Sequence, residues 1–127
     1  MANRCPSARR LGTSVLNAHR FQIDGRGVAT VVPDVERVVY GVTWEITESD
    51  LASLDRYEAV PKFYIRGLCD IVSIVGIEPM VVFFSSDTSV GIPRRNYLEK
   101  IVFAAEENKL PDSYIEEIKS WMNAESL

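Results

Sequence analysis

The chain has 127 residues, 46% hydrophobic and 25% charged, with a net charge of −4. That length suits one domain with a real core and is too short for two, so residues 1–127 are expected to form a single domain. The acidic balance excludes a nucleic-acid footprint, and no run is long and apolar enough for a membrane span. Two distant cysteines, Cys5 and Cys69, make neither a disulfide framework nor a zinc site and fit a reducing cytoplasm. Arg4, Arg9 and Arg10 are followed by no apolar stretch, so no signal peptide is expected.

In chain order, Met1–Arg10 is polar and broken by Pro6. Leu11–Ile23 has strand composition, but its apolar parity shifts: Val15 goes with Phe21 and Ile23, whereas Leu16 and Ala18 take the other face. Two short strands turning a corner near Asn17–His19 account for this. Asp24-Gly25-Arg26-Gly27 reads as a turn, and Val28–Val32 as a short strand ended by Pro33-Asp34. Arg37–Ile46 is the clearest strand, with Val38, Tyr40, Val42, Trp44 and Ile46 alternating on one face.

Thr47–Val60 follows directly. Thr47 with Asp50 three residues on reads as a helix start. Leu51 and Leu54 mark the buried stripe, and the helical period carries that stripe to Glu58. An acid facing a core must be paired, hydrogen-bonded or protonated, and such an environment makes a usable general base. If instead the helix ends at Tyr57, Glu58 is a solvated turn residue before Pro61. Periodicity leaves both readings open.

Beyond Pro61, Phe63–Val75 is β-rich, and Gly76–Pro79 turns it into Met80–Ser85. Ser86–Pro93 is a loop. Leu98, Ile101, Val102 and Ala105 mark an amphipathic helix, and Pro111 opens another with Tyr114, Ile115, Ile118, Trp121 and Met122 at helical spacing. Strands early and helices late predict an α+β fold with a largely antiparallel sheet.

Other candidates carry little. Gly25-x-Gly27 leads into a strand, so it lacks the helix N-terminus that cradles phosphate. His19, the single histidine, reads as a surface residue, and Cys69 as a small buried hydrophobe. Ser85-Ser86-Asp87 is explained by turn chemistry.

Together the residues resemble the γ-glutamyl cyclotransferase-like family. Arg4-Cys5-Pro6-Ser7-Ala8-Arg9 with Leu11-Gly12, and Gly27-Val28-Ala29-Thr30-Val31-Val32-Pro33, look like two of its landmarks. Val39–Glu45 and Leu54-Asp55-Arg56-Tyr57-Glu58-Ala59-Val60 are similar to its V-x-G-V-x-[YW] strand and L-D-x-x-E-G-V helix end. Tyr97–Ile101 and Asn108–Tyr114 resemble its closing helices. The similarity runs in order over nearly the whole chain.

The resemblance implies a compact, barrel-like, mostly antiparallel sheet with flanking helices. It implies a small γ-glutamyl substrate, release of 5-oxoproline and an amine or amino acid, and no metal or organic cofactor. It places the catalytic acid/base on Glu58 and a substrate-binding tyrosine on Tyr97. The sequence also departs from the family. The first strand and its Y-G-S-[NL] substrate loop would lie ahead of Met1, which leads to the expectation that this is a shortened form. Ala59 stands where a glycine is usual, and Phe83 or Phe84 where many members have a tyrosine. The resemblance therefore leaves an alternative: a catalytically inactive member that binds a small molecule or a protein.

Overall fold

The computed structural model describes residue 5 and residues 7–58 and 62–122. Its elements are β1 (Arg9–Ile23), β2 (Ala29–Glu45), α1 (Glu48–Tyr57), β3 (Tyr64–Ser73), β4 (Gly76–Ser85), α2 (Tyr97–Glu107) and α3 (Asp112–Lys119). The fold is α+β, with one antiparallel sheet in the order β2-β1-β3-β4.

The alternating stretch Val38–Trp44 lies in a longer strand than its pattern predicts. β2 has 17 residues and runs through Pro33-Asp34, where a break was expected. A proline is tolerated because β2 is an edge strand and the ladder is already irregular there. The parity shift near Asn17–His19 has a physical cause. Register passes from Asn17↔Val38 to His19↔Pro33, so Asp34–Arg37 bulge out, and Ala18 sits at φ 57. One bent strand replaces the expected pair.

The second hairpin also differs in detail. Ser73 pairs with Gly76, leaving Ile74-Val75 as the turn and placing Pro79 inside β4 opposite Asp70. β4 is the other edge, which again accommodates the proline.

The barrel-like expectation holds only loosely, because the sheet does not close. β1 meets β3 over just Val15↔Val72 and Leu16↔Ile71. β2 and β4 approach each other, and the Ser85 N–H donates to Thr30 Oγ1 at 2.9 Å. No ladder joins these two strands among the described residues. A cavity of about 650 Å³ opens between them. It is lined by consecutive residues 41–45 of β2 and 80–83 of β4, with Leu51 of α1 at one side. Consecutive residues of a strand point to opposite faces, so the edges of both strands contribute to its wall, together with Leu16 of β1 and Ile71 of β3.

The core lies between the first hairpin and the late helices. Phe21 and Ile23 pack with Leu98, Val102 and Ala105 of α2 and with Tyr114, Ile115 and Ile118 of α3. Trp121 packs edge-on to Phe21, and Tyr40 edge-on to Tyr114. The stripes expected of both helices are the ones buried. α3 stops at Lys119, short of Trp121 and Met122, which still pack on the core.

α1 begins as its sequence dictates. Asp50 N–H donates to Thr47 Oγ1 at 3.1 Å, and Thr47 N–H to Asp50 Oδ2 at 3.2 Å. Ser7 Oγ adds a bond to the same carboxylate at 2.9 Å, and the Cys5 thiol reaches the Asp50 carbonyl. The Thr47 N–H and Ser7 bonds hold the Asp50 carboxyl below its ordinary range. Replacing Asp50 with alanine should lower Tm by roughly 5 °C, because the cap and the N-terminal tether are lost together. Thermal denaturation checks this, and an unchanged Tm would show that the cap carries no weight.

Candidate functional site

α1 ends at Tyr57, and Glu58 is its C-cap. The Glu58 N–H still bonds Leu54 O at 2.8 Å, with φ −81 and ψ 0, so the residue completes the helical turn. Its side chain is half-buried, between the two arrangements the periodicity left open. Asp55 on the same helix is engaged by Arg66 at 3.0 Å.

Two tyrosines stand near Glu58. Tyr64 opens β3 and Tyr97 opens α2, and both hydroxyls converge on one residue of β2. The Tyr64 hydroxyl donates to Ala29 O at 3.0 Å, and the Tyr97 hydroxyl accepts from Ala29 N at 2.9 Å. Burial raises the Tyr64 pKa to about 12, and negative charge at Tyr97 and Glu58 pushes the same way. Burial also raises Tyr97, against the Ala29 N–H bond, with Asp24 and Glu58 adding to the rise. Both phenols therefore stay protonated at neutral pH, within the electrostatic reach of Glu58.

The turn after β1 supplies the third part. Asp24 is fully buried and accepts from Ser85 Oγ at 2.6 Å, Arg26 N at 2.9 Å, Val28 N at 3.2 Å and Arg26 Nη2 at 3.1 Å. Burial alone would raise its pKa. The bonds from Ser85, Val28 and Arg26 outweigh that and leave it lowered. The Arg26 guanidinium carbon lies 4.9 Å from the Phe63 ring centroid and 5.1 Å from that of Tyr64. Gly91 fastens the turn: its N–H bonds Ile23 O at 2.9 Å, and a Cβ there would collide with the Asp24 carbonyl oxygen.

These shifts set a stability window. Tyr64 is harder to ionise in the fold than its ordinary 10.0, so its contribution is full below pH 10 and is lost as pH rises toward about 12. Asp24 is easier to ionise than its ordinary 3.8, so its contribution is present above that value and is lost as pH falls below it. Tm measured across pH should fall on both flanks, with tyrosinate absorbance following the alkaline one. A Tyr64 that ionises near 10 in the folded protein would contradict the buried clasp.

Glu58 and Tyr97 are thus brought into one neighbourhood. Glu58 lines neither the large cavity nor a second one of about 330 Å³ that Tyr97 helps to form. Sequence reasoning missed Tyr64, which it read only as part of a β-rich run, and missed Arg26 with its partners Asp24 and Ser85, which it read as turns. The phenylalanines found in place of a tyrosine serve elsewhere: Phe83 lines the large cavity, and the Phe84 ring lies 6.0 Å from that of His19. His19 and Cys69 are both half-buried, which corrects the surface and core expectations for them. Burial and Asp70 raise the Cys69 pKa, so its thiol is not activated. Among the described residues no three His, Cys, Asp or Glu side chains converge as a metal site requires, and no helix is long and apolar enough to cross a membrane.

The sequence pattern of the AIG2-like family matches residues 38–118, a span containing both Glu58 and Tyr97. No curated protein sequence matches. Among solved structures, a γ-glutamyl cyclotransferase superposes with a TM-score of 0.84 at 24% identity, over 93% of this chain and 77% of its own. An uncharacterized human protein gives 0.83 at 25% identity over the same shares. YkqA from Bacillus subtilis gives 0.77 at 24% identity, over 90% of this chain and 44% of its own. The chain belongs to the AIG2-like family, and it has the γ-glutamyl cyclotransferase fold.

Proposed function

We propose that the protein is a γ-glutamyl cyclotransferase that releases 5-oxoproline from a γ-glutamyl amine or peptide, with Glu58 as its acid/base. The observation that carries this reading is the half-buried Glu58 carboxylate beside two protonated tyrosines in this fold. The reaction suits a single carboxylate because the nucleophile arrives with the substrate. Glu58 takes a proton from the α-ammonium, and the freed amine attacks the γ-carbonyl carbon to form the ring C–N bond. The ring nitrogen, cationic after attack, gives its extra proton to solvent. The tetrahedral oxyanion then collapses, breaking the bond to the departing amine, which receives the proton from Glu58. Holding the two ends of the γ-glutamyl group together supplies much of the rate, as intramolecular attack does in general. Tyr97 contributes to substrate binding.

Backbone N–H donors would stabilise the oxyanion. Reduced, unpaired Cys5 and Cys69 suit work in the cytoplasm. The cleft between β2 and β4 favours a second reading, a domain that binds a small amino-acid-like ligand without turning it over. Incubating the full chain with several γ-glutamyl amines and peptides and measuring 5-oxoproline decides between them. Release supports the enzyme. Saturable binding with no release supports the second reading.

A further inference from the structure

The Arg26 side chain is 24% exposed and is held in place before any ligand arrives. Its Nη2 serves three acceptors: Asp24 Oδ2 at 3.1 Å, Phe63 O at 3.0 Å and Ser85 Oγ at 3.0 Å. None of these bonds uses Nη1, and Nε is buried with no acceptor. A guanidinium that retains N–H capacity in a built site needs an explanation. Asp24, fully buried and accepting four bonds, fixes the group rather than competing for it at the surface.

The position matters as much as the spare capacity. Arg26 is tied to the carbonyl of Phe63, in the segment that follows Glu58, and it stacks on the Tyr64 ring. Tyr64 feels both the Glu58 charge and the Arg26 charge. Lys62 Nζ lies 5.2 Å from the Phe63 ring centroid, so this flank carries a second positive charge. A γ-glutamyl head group bears an ammonium and a carboxylate on one carbon. A site whose anion takes the ammonium needs a cation nearby for the carboxylate.

We propose, resting on the cyclotransferase reading above, that Arg26 binds the α-carboxylate of the γ-glutamyl group and sets specificity for it. Tyr64 and Phe63 supply the apolar floor on which the guanidinium lies, and Asp24 and Ser85 orient it. Arginine suits this role because Nη2 can stay bound to Asp24, Phe63 and Ser85 while Nη1 donates to the carboxylate, a division that a single lysine ammonium does not offer.

The test uses the full chain and two amides, γ-glutamyl benzylamide and 4-aminobutanoyl benzylamide. They differ only in the α-carboxylate. In each, the amine–carbonyl bond forms, the amide bond breaks and benzylamine leaves with the proton, giving 5-oxoproline or 2-pyrrolidinone. Arg26→Gln is made together with Asp24→Asn, so that no buried charge is left unpaired. The wild type should prefer the first amide. The double variant should lose about ten- to a hundredfold of that preference in kcat/KM, mainly through KM, and Arg26→Lys should restore only part. Equal losses on both amides would overturn the assignment. Binding of 5-oxoproline and of 2-pyrrolidinone, measured by calorimetry, separates this from the activity itself. Without turnover, tighter binding of 5-oxoproline by the wild type alone still upholds Arg26 while the enzyme reading fails. A wild type without that preference, or a double variant that keeps it, overturns the role of Arg26.

Discussion

Glu58→Gln should lower kcat for 5-oxoproline release by about a hundred- to ten-thousand-fold, the usual worth of a positioned acid/base. The amide keeps the shape of the carboxylate but can neither take the ammonium proton nor return it to the leaving amine. KM should move little, because the substrate's carbon skeleton and α-carboxylate meet the same groups. Stability should hold or rise slightly, since a partly desolvated charge becomes neutral. The measurement is steady-state release by wild type and variant, with thermal denaturation as the folding control. Near-wild-type turnover in a folded variant would move the chemistry away from Glu58.

The second large effect concerns the cleft between β2 and β4. Two strand edges face one apolar cavity of about 650 Å³, and backbone donors and acceptors on an unpaired edge form a template for another strand. Fusing ahead of Met1 a short apolar strand that ends in a Tyr-Gly-Ser type loop should raise Tm by on the order of 10 °C. The gain comes from burying the cavity walls and pairing both edges. Amide exchange should slow at residues 41–45 and 80–83, and 5-oxoproline release should appear or increase. An extended chain with unchanged Tm and unprotected edges would show that the cleft does not take a strand.

Much of this architecture was legible because it is local. The alternation of Val38 through Trp44 gives a strand, and Thr47 with Asp50 gives the start of α1. The parity change around Ala18 gives the corner. The misses share a cause: each depends on where an element lies in the sheet. Pro33 and Pro79 read as breaks, yet both sit inside edge strands, where a missing N–H costs little. Ile74-Val75 make a turn from two β-branched residues, with the usual signal displaced to Gly76.

The site was half legible for the same reason. The period of α1 brought Glu58 to notice, but its half-burial is set by tertiary packing, which no local pattern reports. Tyr64 reaches Ala29 across 35 positions and Tyr97 across 68, so the clasp is a product of the fold. Arg26 looked like turn filler because its partners, Phe63 and Ser85, lie far along the chain.

The two phenols on Ala29 bear on how the molecule meets its neighbours in a crowded solution. An edge strand invites association in proportion to the backbone it leaves unbonded. At Ala29, where β2 begins, both the N–H and the carbonyl are occupied by tyrosine hydroxyls, so a foreign strand finds no purchase there. Farther along, Asp34–Arg37 leave the ladder and carry charge outward, a second interruption. Residues 41–45 face the cleft between β2 and β4. Self-association through β2 is thereby interrupted at two points, and whatever fills the cleft also covers residues 41–45.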